Sequence, residues 1–436
     1  MSSPDLDLVV IGDCNPDVLV LGSDVSPVFG QAEKLVSRMS LEIGGSASIT
    51  AVAAARLGLR VALVAAVGRD AAGTFMLDAL AREGVDVSAV AIRDGLATGM
   101  TVALSRGGDR AILTALGAMD SLTAADVPAS VFARARHVHV SSYFLLADSL
   151  GPGLASMFAN ACAAGATTSL DTNWDPAERW RDERLSAAIA QADLLLPNEA
   201  EALALSGAST ESTAALALAA LGPRVAVKLG ARGVLVASGS AELRQVSLPP
   251  VTPVDTTGAG DCFNAGLIAG LLHGLPLPRA AAFGCATGAL STGALGGTAG
   301  APGLQKATDL AAHAVIALPT CAQVGKSKGT TFQASGRLNS PLRAPSRKAR
   351  HSVWVNDRTA PERSRECRIR TASTPSATSR QLPPGWDAVL LRHTSSSDAA
   401  LVTLPPRGSR CRGSGAASIE PRPSETTPTE YDEGQL

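Results

Sequence analysis

The stretch Asp255-Thr256-Thr257-Gly258-Ala259-Gly260-Asp261 joins an extended segment, residues 251–254, to a predicted helix that runs from about residue 261 to residue 273. Its glycines therefore lie at a helix N-terminus, where several backbone N–H groups and the positive end of the helix dipole converge. Both glycines allow unusual φ angles and the close approach of a ligand. The stretch predicts a site for an anion such as a phosphoryl group.

Asp261, the last residue of this stretch, is a candidate catalytic base. Beside a bound phosphoryl group it would accept the proton of an attacking hydroxyl, and we expect it to be ionised at neutral pH. The anion hole itself would consist of Thr257, Gly258, Ala259 and Gly260. The alternative is a tight turn in which Asp261 only caps the helix. An isolated Gly-x-Gly-Asp favours that alternative, so the rest of the chain has to decide.

Upstream of this stretch, short apolar segments alternate with helical ones. The apolar segments are residues 8–12, 61–67, 138–141, 168–170, 194–196 and 225–227. The first predicted helix spans residues 46–57, with Ser46 or Ser48 as its N-cap and Gly58 after its end. Because strand–helix alternation is typical of parallel sheets with helices on both faces, the sequence predicts a doubly wound α/β domain.

A β-hairpin is predicted where this alternation is interrupted. Residues 97–105 and 110–116 are rich in β-prone residues, and they flank the turn sequence Arg106-Gly107-Gly108-Asp109. We expect this hairpin to be an addition to the main sheet.

Two segments of the chain resemble the signatures of the ribokinase-like (PfkB) carbohydrate kinases. The first is Gly44-Gly45 followed by residues 51–58, and the second is the stretch at 255–261. Their order and separation also fit, and the resemblance extends from about Asp7 to about Pro302. The resemblance therefore favours the catalytic interpretation of Asp261 over the simple turn.

The resemblance also implies a fold and an activity. The fold would be a mostly parallel sheet flanked by helices, with a small β lid drawn from about residues 18–41 and 97–116. ATP would bind along the C-terminal side of the sheet, which agrees with the position of ligand sites in open α/β sheets. We expect a kinase domain over residues 1–318, and by resemblance alone a homodimer formed through the lid.

The same family resemblance implies that metal ions bind at the site. Asn198 and Glu201 follow a predicted strand and resemble the family's Asn-x-x-Glu motif, which helps to organise Mg²⁺ and the ATP phosphates. A plain helix start with early acidic residues is the competing interpretation. Asp255 would help to hold a monovalent cation, K⁺, as in many relatives.

Lys228, Gly230 and Gly233 follow another predicted strand and resemble the family's nucleotide-side loop. The glycines would let the backbone approach ATP, and Lys228 together with Thr257 would assist the phosphates. A plain β-turn explains the same residues, and for Lys228 the two interpretations are evenly balanced.

The acceptor side of the site would be built at other strand ends. The residues that resemble sugar-binding positions of the family are Asn15, Asp17, Gly44, Gly45 and Asp171. Turn formation is the alternative for Asn15. Asp171 and the nearby Asn173 resemble the family's Asp-x-Asn pattern and would border either the acceptor or the nucleotide.

Ile49 departs from the family pattern, because the first signature usually has a sugar-binding Asn at this place. The sequence thus predicts an ATP-dependent kinase of a hydroxyl on a sugar, sugar acid or nucleoside, without fixing the acceptor. The alternative is a sugar- or nucleotide-binding or sensing protein of the same fold with weak catalysis.

The C-terminal part of the chain has a different composition. Residues 319–436 hold 18 of the 38 Lys and Arg residues but only 10 of the 39 acidic ones, and Ser, Thr and Pro dominate there. We expect a disordered basic tail. The acidic remainder argues against a nucleic-acid surface on the main domain, and a nucleic-acid tether in the tail is a minor alternative.

Targeting signals are not indicated by the sequence. The seven cysteines show no paired metal or redox spacing, and His137 and His139 are explained better by packing than by a metal. The first residues lack the bases of a signal peptide. We therefore expect a cytoplasmic protein without a membrane span.

Overall fold

The structure is a computed structural model that describes residues 4–106, 109–239, 242–319, 387–392 and 399–404. The chain divides into two compact units, residues 1–370 and residues 371–436. In the second unit, strands Asp387–Arg392 and Ala399–Leu404 pair in antiparallel fashion. Most of the predicted disordered tail lies outside the described residues, so the disorder and the domain boundary at residue 318 stay predictions.

The first unit is organised around a nine-stranded sheet. Its strands are β1 (Leu6–Ile11), β4 (Val61–Val64), β9 (Ala135–Val140), β10 (Thr167–Leu170), β11 (Leu194–Leu195), β12 (Arg224–Lys228), β13 (Val234–Ser238), β14 (Glu242–Ser247) and β15 (Val315–Ala317). They follow the order β15-β14-β13-β12-β11-β10-β9-β1-β4. The strands from β12 to β4 are parallel, and β13 to β15 are antiparallel additions. The predicted mostly parallel sheet is confirmed.

Ten helices of the described residues surround this sheet. They are α1 (Ser46–Arg56), α2 (Ala71–Arg82), α3 (Ala129–Arg134), α4 (Gly151–Ala163), α5 (Glu183–Gln191), α6 (Glu199–Ser206), α7 (Glu211–Ala219), α8 (Ala259–Leu272), α9 (Leu277–Ser291) and α10 (Leu304–Ala311). Side chains of β1 alternate between two buried clusters: Val9 and Ile11 pack with α4 and α5, whereas Leu8 and Val10 pack with α1 and α8. Alternation along a strand thus places helices on both faces.

A second sheet of four strands forms the lid. Its strands are β2 (Asn15–Leu21), β3 (Arg38–Gly44), β7 (Met100–Arg106) and β8 (Asp109–Ala115), in the order β3-β2-β7-β8. The hairpin β7–β8 turns where the sequence predicted, since Arg106 pairs with Asp109. The lid is therefore confirmed, and it extends to Asn15 and Gly44.

The short strands β5 (Ala66–Gly68) and β6 (Ala91–Arg93) pair separately from both sheets. Among the helices that the structure describes, none is long and apolar enough to cross a membrane.

Candidate active site

The glycine-rich stretch forms the N-terminus of α8, as predicted, but the helix starts two residues earlier than expected. Gly258 is its N-cap, in the left-handed region at φ 71°. A Cβ added to Gly258 would lie 2.7 Å from the Cα of Gly297 and 3.0 Å from a side-chain carbon of Ile49. Glycine is therefore required both by the backbone angle and by the close packing. Asp261 falls in the first turn of α8.

Asp255 fixes the shape of this stretch. One carboxylate oxygen accepts hydrogen bonds from the backbone N–H and the hydroxyl of Thr257, at 2.9 and 2.8 Å. The other oxygen accepts from the N–H of Gly296 at 2.8 Å. Although burial alone would raise the pKa of Asp255, these hydrogen bonds hold it below its usual value. Asp255 therefore stays charged and ties the stretch to the loop that follows α9.

Asp261 has an unusual electrostatic environment. Burial raises its pKa well above the ordinary value, and the nearby carboxylates of Asp171 and Asp13 raise it further. Lys228 and the hydroxyl of Ser46 act in the opposite direction. The sequence-based expectation of an ordinary, ionised carboxyl misses this shift, because it depends on groups from distant segments. Because a raised pKa makes a carboxylate a stronger base, ionised Asp261 accepts a proton more readily than an exposed aspartate does.

Asp171 and Lys228 form a buried ion pair at the ends of β10 and β12. The Nζ of Lys228 donates to Asp171 at 2.7 Å. Asn264 on α8 donates to the same carboxylate oxygen. Burial opposes the charge of Lys228, but Asp171, Glu201 and Asp261 outweigh it and raise the Lys228 pKa. Asn264 had no sequence signal beyond its place one turn after Asp261.

Asn198 and Glu201 form a capping box at the start of α6. The Asn198 side chain accepts from the N–H of Glu201, and Glu201 accepts from the N–H of Asn198, both at 2.9 Å. The plain helix start is thus realised. Yet Glu201 is almost fully buried, and burial together with Asp171 raises its pKa to about 7. Asn198 and Glu201 therefore stabilise the start of α6. In addition, the charges of Asp171 and Lys228 act on the pKa of Glu201.

Gly230 and Gly233 lie in a tight turn between β12 and β13, with φ angles of 58° and 87°. A Cβ on Gly233 would lie 2.0 Å from the carbonyl oxygen of Val246, whereas the space around Gly230 is open. Packing alone therefore explains Gly233, and its contact with a nucleotide stays a prediction, as does that of Gly230.

Four of the predicted acceptor residues come together where the chain passes from β1 of the main sheet to β2 of the lid. Asn15 donates to Asp17 at 3.2 Å and to Thr101 of the lid at 3.1 Å. A Cβ on Gly44 would lie 1.9 Å from a carboxylate oxygen of Asp17, and a Cβ on Gly45 would lie 2.9 Å from Asn15. Both glycines therefore leave room for these polar side chains. Burial, followed by the charge of Asp13, raises the pKa of Asp17 to about 7.

Asp13 was not selected from the sequence, although it lies only two positions after the end of β1. Its two carboxylate oxygens accept hydrogen bonds from the backbone N–H groups of Ser46 and Ala47, each at 2.9 Å. The expected N-cap at Ser46 or Ser48 is wrong, because the helix begins at Ser46 and its N-cap is Gly45. Asp13 supplies the missing cap from another segment.

Two further residues connect the acceptor side with α8. Arg110 of the lid strand β8 donates to the hydroxyl of Thr257 at 2.7 Å. Ile49 is buried against Gly258 and Gly297, so its side chain packs where the family pattern would offer a polar contact. Arg110 brings a positive charge from the lid to the predicted anion hole.

Comparison with known proteins gives three consistent results. The model of the pfkB family carbohydrate kinase matches residues 5–303. A 2-dehydro-3-deoxygluconokinase of Bacillus subtilis is 33% identical over 62% of this chain and 87% of its own length. A ribokinase of the same organism is 32% identical over 68% of this chain and 96% of its own.

Among solved structures, a putative ribokinase II from E. coli in complex with ATP and Mg²⁺ superposes with a TM-score of 0.62. It is 26% identical in sequence, and the match covers 70% of this chain and 98% of that one.

Proposed function

The chain belongs to the pfkB family of carbohydrate kinases, and we propose that it transfers the γ-phosphoryl group of ATP to a hydroxyl of a sugar, a sugar acid or a nucleoside. The observation that carries the proposal is the position of Asp13, whose charge acts on both Asp17 and Asp261. This shared neighbour supports the assignment of a predicted acceptor residue and the predicted base to one site.

In the proposed reaction, Asn15 and Asp17 hold the acceptor by its hydroxyl groups, and Gly44 and Gly45 leave room for it. Asp261 takes the proton of the reacting hydroxyl while that oxygen forms a bond to the γ-phosphorus. The bond from the γ-phosphorus to the bridging oxygen breaks, and ADP leaves with that oxygen. The raised pKa of Asp261 supports its role as the proton acceptor.

The N–H groups of residues 258–261 stabilise the charge of the transferring group, because they lie at the N-terminus of α8 with its positive dipole. The N–H of Thr257 is instead bonded to Asp255. Lys228 and the hydroxyl of Thr257 assist the phosphates. Asn198, Gly230 and Gly233 complete the proposed nucleotide side. The E. coli neighbour solved with ATP and Mg²⁺ supports ATP as the donor.

Mg²⁺ and K⁺ belong to the proposal as well. Each oxygen of Glu201 accepts one hydrogen bond within the capping box, which leaves lone pairs for a water of a hydrated ion. When bound with ATP, Mg²⁺ supplies positive charge to the phosphates. Asp255 is charged. Its carboxylate oxygen that accepts the hydrogen bond from the N–H of Gly296 keeps a lone pair that suits K⁺. Comparing activity in K⁺ and Na⁺ buffers tests that ion.

The proposed function is tested by a screen of acceptors. Purified full-length protein is incubated with Mg-ATP and pentoses, ketohexoses, sugar phosphates, sugar acids and nucleosides, and ADP release is measured. We expect at least one acceptor to raise ADP release above the rate with ATP alone. If none does while sugars bind in calorimetry, the protein is a binding or sensing protein, the alternative motivated by Ile49.

We also propose a homodimer through the lid. Met39 and Leu41 lie on the same face of β3, and both are exposed, at 61% and 44%. Ile112 and Leu113 of β8 are exposed as well. Light scattering of the intact chain is expected to give twice the monomer mass. The Met39→Glu variant is expected to give the mass of a single monomer. A monomeric wild-type protein contradicts the dimer.

A further inference from the structure

The ammonium group of Lys228 is enclosed, with Asp171 as its nearest acceptor. Their Nζ–Oδ2 distance is 2.7 Å, and the two side chains are only 14% and 6% exposed. Asn264 offers a longer contact to the same ammonium, at 3.4 Å. In a poorly solvated site of this kind an opposite charge interacts far more strongly than it does in water. The position of Asp171 therefore decides where the ammonium rests.

Asp171 is itself held from two directions. Asn264, one turn after Asp261 on α8, donates to the carboxylate oxygen that also accepts from Lys228. The backbone N–H of Asn173 donates to the other oxygen at 3.2 Å. The carboxylate is thus fixed to both β10 and α8, while the flexible side chain of Lys228 is the member of the pair that is able to move.

Lys228 also lies beside the glycine-rich stretch. A Cβ added to Gly260 would lie 3.7 Å from the Nζ of Lys228. A phosphate held by the N–H groups of this stretch would therefore compete with Asp171 for the same ammonium. The competition is between a carboxylate that is already in place and an anion that arrives with the nucleotide.

We propose that Asp171, held by Asn264, is a competing counter-ion that retains Lys228 until the nucleotide phosphates draw the ammonium toward the glycine-rich stretch. The inference rests on the proposed function, because it needs a nucleotide at α8. Asp171 thereby weakens nucleotide binding. When no nucleotide is bound, it keeps the buried ammonium of Lys228 paired. In this role Asp171 and Asn264 are positioning residues that act through Lys228, whereas Asp171 was predicted as an acceptor-binding residue.

A purely structural ion pair would behave differently. Removal of its carboxylate would loosen the ends of β10 and β12 and weaken nucleotide binding. With a competing counter-ion, the same removal leaves Lys228 buried without its nearest partner, which destabilises the free protein. Phosphate then supplies the missing charge, so the nucleotide binds more tightly. The sign of the change in affinity separates the two interpretations.

The test measures the Kd of Mg-ATP by calorimetry, without acceptor, for the full-length wild-type protein and Asp171→Asn. We expect the substitution to lower the Kd about five- to tenfold, within the usual range of coupling between two sites. Asp126→Asn is the matched control, because it breaks the partly buried Arg93–Asp126 pair away from α8. Asp126→Asn should lose stability without a change in Kd.

A double-mutant cycle shows whether the effect passes through Lys228. In a Lys228→Met background, Asp171→Asn should leave the Kd unchanged. If Asp171→Asn fails to fold, Asn264→Ala takes its place, with a smaller decrease in Kd expected. Unchanged or weaker ATP binding by the folded variant overturns the inference alone. A wild-type protein that does not bind Mg-ATP overturns the proposed function and the inference together.

Discussion

The two sides of the proposed site are held in different ways. On the nucleotide side, Asp171, Lys228 and Asn264 are buried and bonded to one another across two strands and α8. On the acceptor side, Asn15 and Asp17 belong to β2, a strand of the lid. Leu113 on β8, the lid strand at the edge of that sheet, is 64% exposed. The main sheet therefore fixes the nucleotide side, and the thinner lid carries the acceptor side.

This difference teaches where the reaction and its selectivity reside. Substitutions on α8 should alter the chemical step for every acceptor, whereas substitutions on β2 should alter which acceptor binds. Arg110 and Asp13 act between the two sides, through the bond to Thr257 and through the charges on Asp17 and Asp261. Substitutions at the contacts between the sides should combine both effects.

The largest effect is expected from Asp261→Asn, which removes the base on the nucleotide side and keeps the size of the side chain. We expect kcat to fall by about 10²- to 10⁴-fold with every acceptor, the usual contribution of a general base. Steady-state ADP release measures it, and circular dichroism checks the fold. Asp94→Asn is the control, since Asp94 forms an exposed pair with Arg69. Equal rates for wild type and Asp261→Asn would rule out the base.

The second-largest effect is expected from Gly258→Ala, because this substitution disturbs the packing between α8, Gly297 and Ile49. The added Cβ meets backbone atoms at 2.7 Å in addition to the left-handed φ. Gly84→Ala is matched to it, with a φ of 82° and open space around the glycine. Denaturant unfolding should show a loss of about 1–3 kcal/mol for the strained angle in both variants and a larger loss in Gly258→Ala. Equal losses would mean that the close packing is unimportant.

Arg110→Ala tests the contact between the lid and the nucleotide side. Loss of the bond to Thr257 should lower kcat/KM about tenfold, which corresponds to roughly 1.4 kcal/mol for a charged hydrogen bond. Arg110→Lys should recover part of it. Arg106→Ala is the control within the lid, where Arg106 contacts Ser26 at 3.4 Å. If both Ala variants behave alike, the contact with Thr257 has no role in the reaction.

The smallest effect at any single pH step concerns the pH dependence contributed by Asp17. Its folded-state pKa is raised to about 7, so the folded protein keeps a proton that the unfolded chain releases near pH 4. The free energy of unfolding then decreases as the pH rises from about 4 to about 7, by less than about 1.4 kcal/mol per pH unit. Asp17→Asn should remove this slope, so its stability relative to wild type increases with pH.

Urea unfolding of both proteins between pH 5 and pH 8 measures the difference. A constant difference across this range would show that Asp17 titrates normally and that the acceptor side is better solvated than the structure indicates.

The sequence predicted the α/β architecture because its local patterns, the strand–helix alternation and the turn residues, were consistent with one fold. Alternating strands and helices imply a parallel sheet, and the carboxyl ends of parallel strands meet at one edge. Candidate residues at those ends therefore come together, as Asp171 after β10 and Lys228 at the end of β12 do. The hairpin of the lid followed from its turn residues in the same way.

The remaining features depend on contacts between distant segments. Asp13 caps a helix that begins 33 positions later, and Arg110 reaches Thr257 across 147 positions. Asn264 matters only because α8 brings it to Asp171, which follows β10. The raised pKa of Asp261 likewise arises from Asp171 and Asp13. Local propensity carries no information about such pairs, so they appear only in the folded chain.

The account is tested most directly by following the γ-phosphoryl group itself. Full-length protein is incubated with Mg-ATP labelled in the γ-phosphate and with the acceptor that gives the fastest ADP release. We predict that the label appears in an organic phosphate ester of the acceptor, and that Asp261→Asn prevents this transfer while still binding Mg-ATP. Label found only in inorganic phosphate, or transferred equally well by Asp261→Asn, would contradict the account.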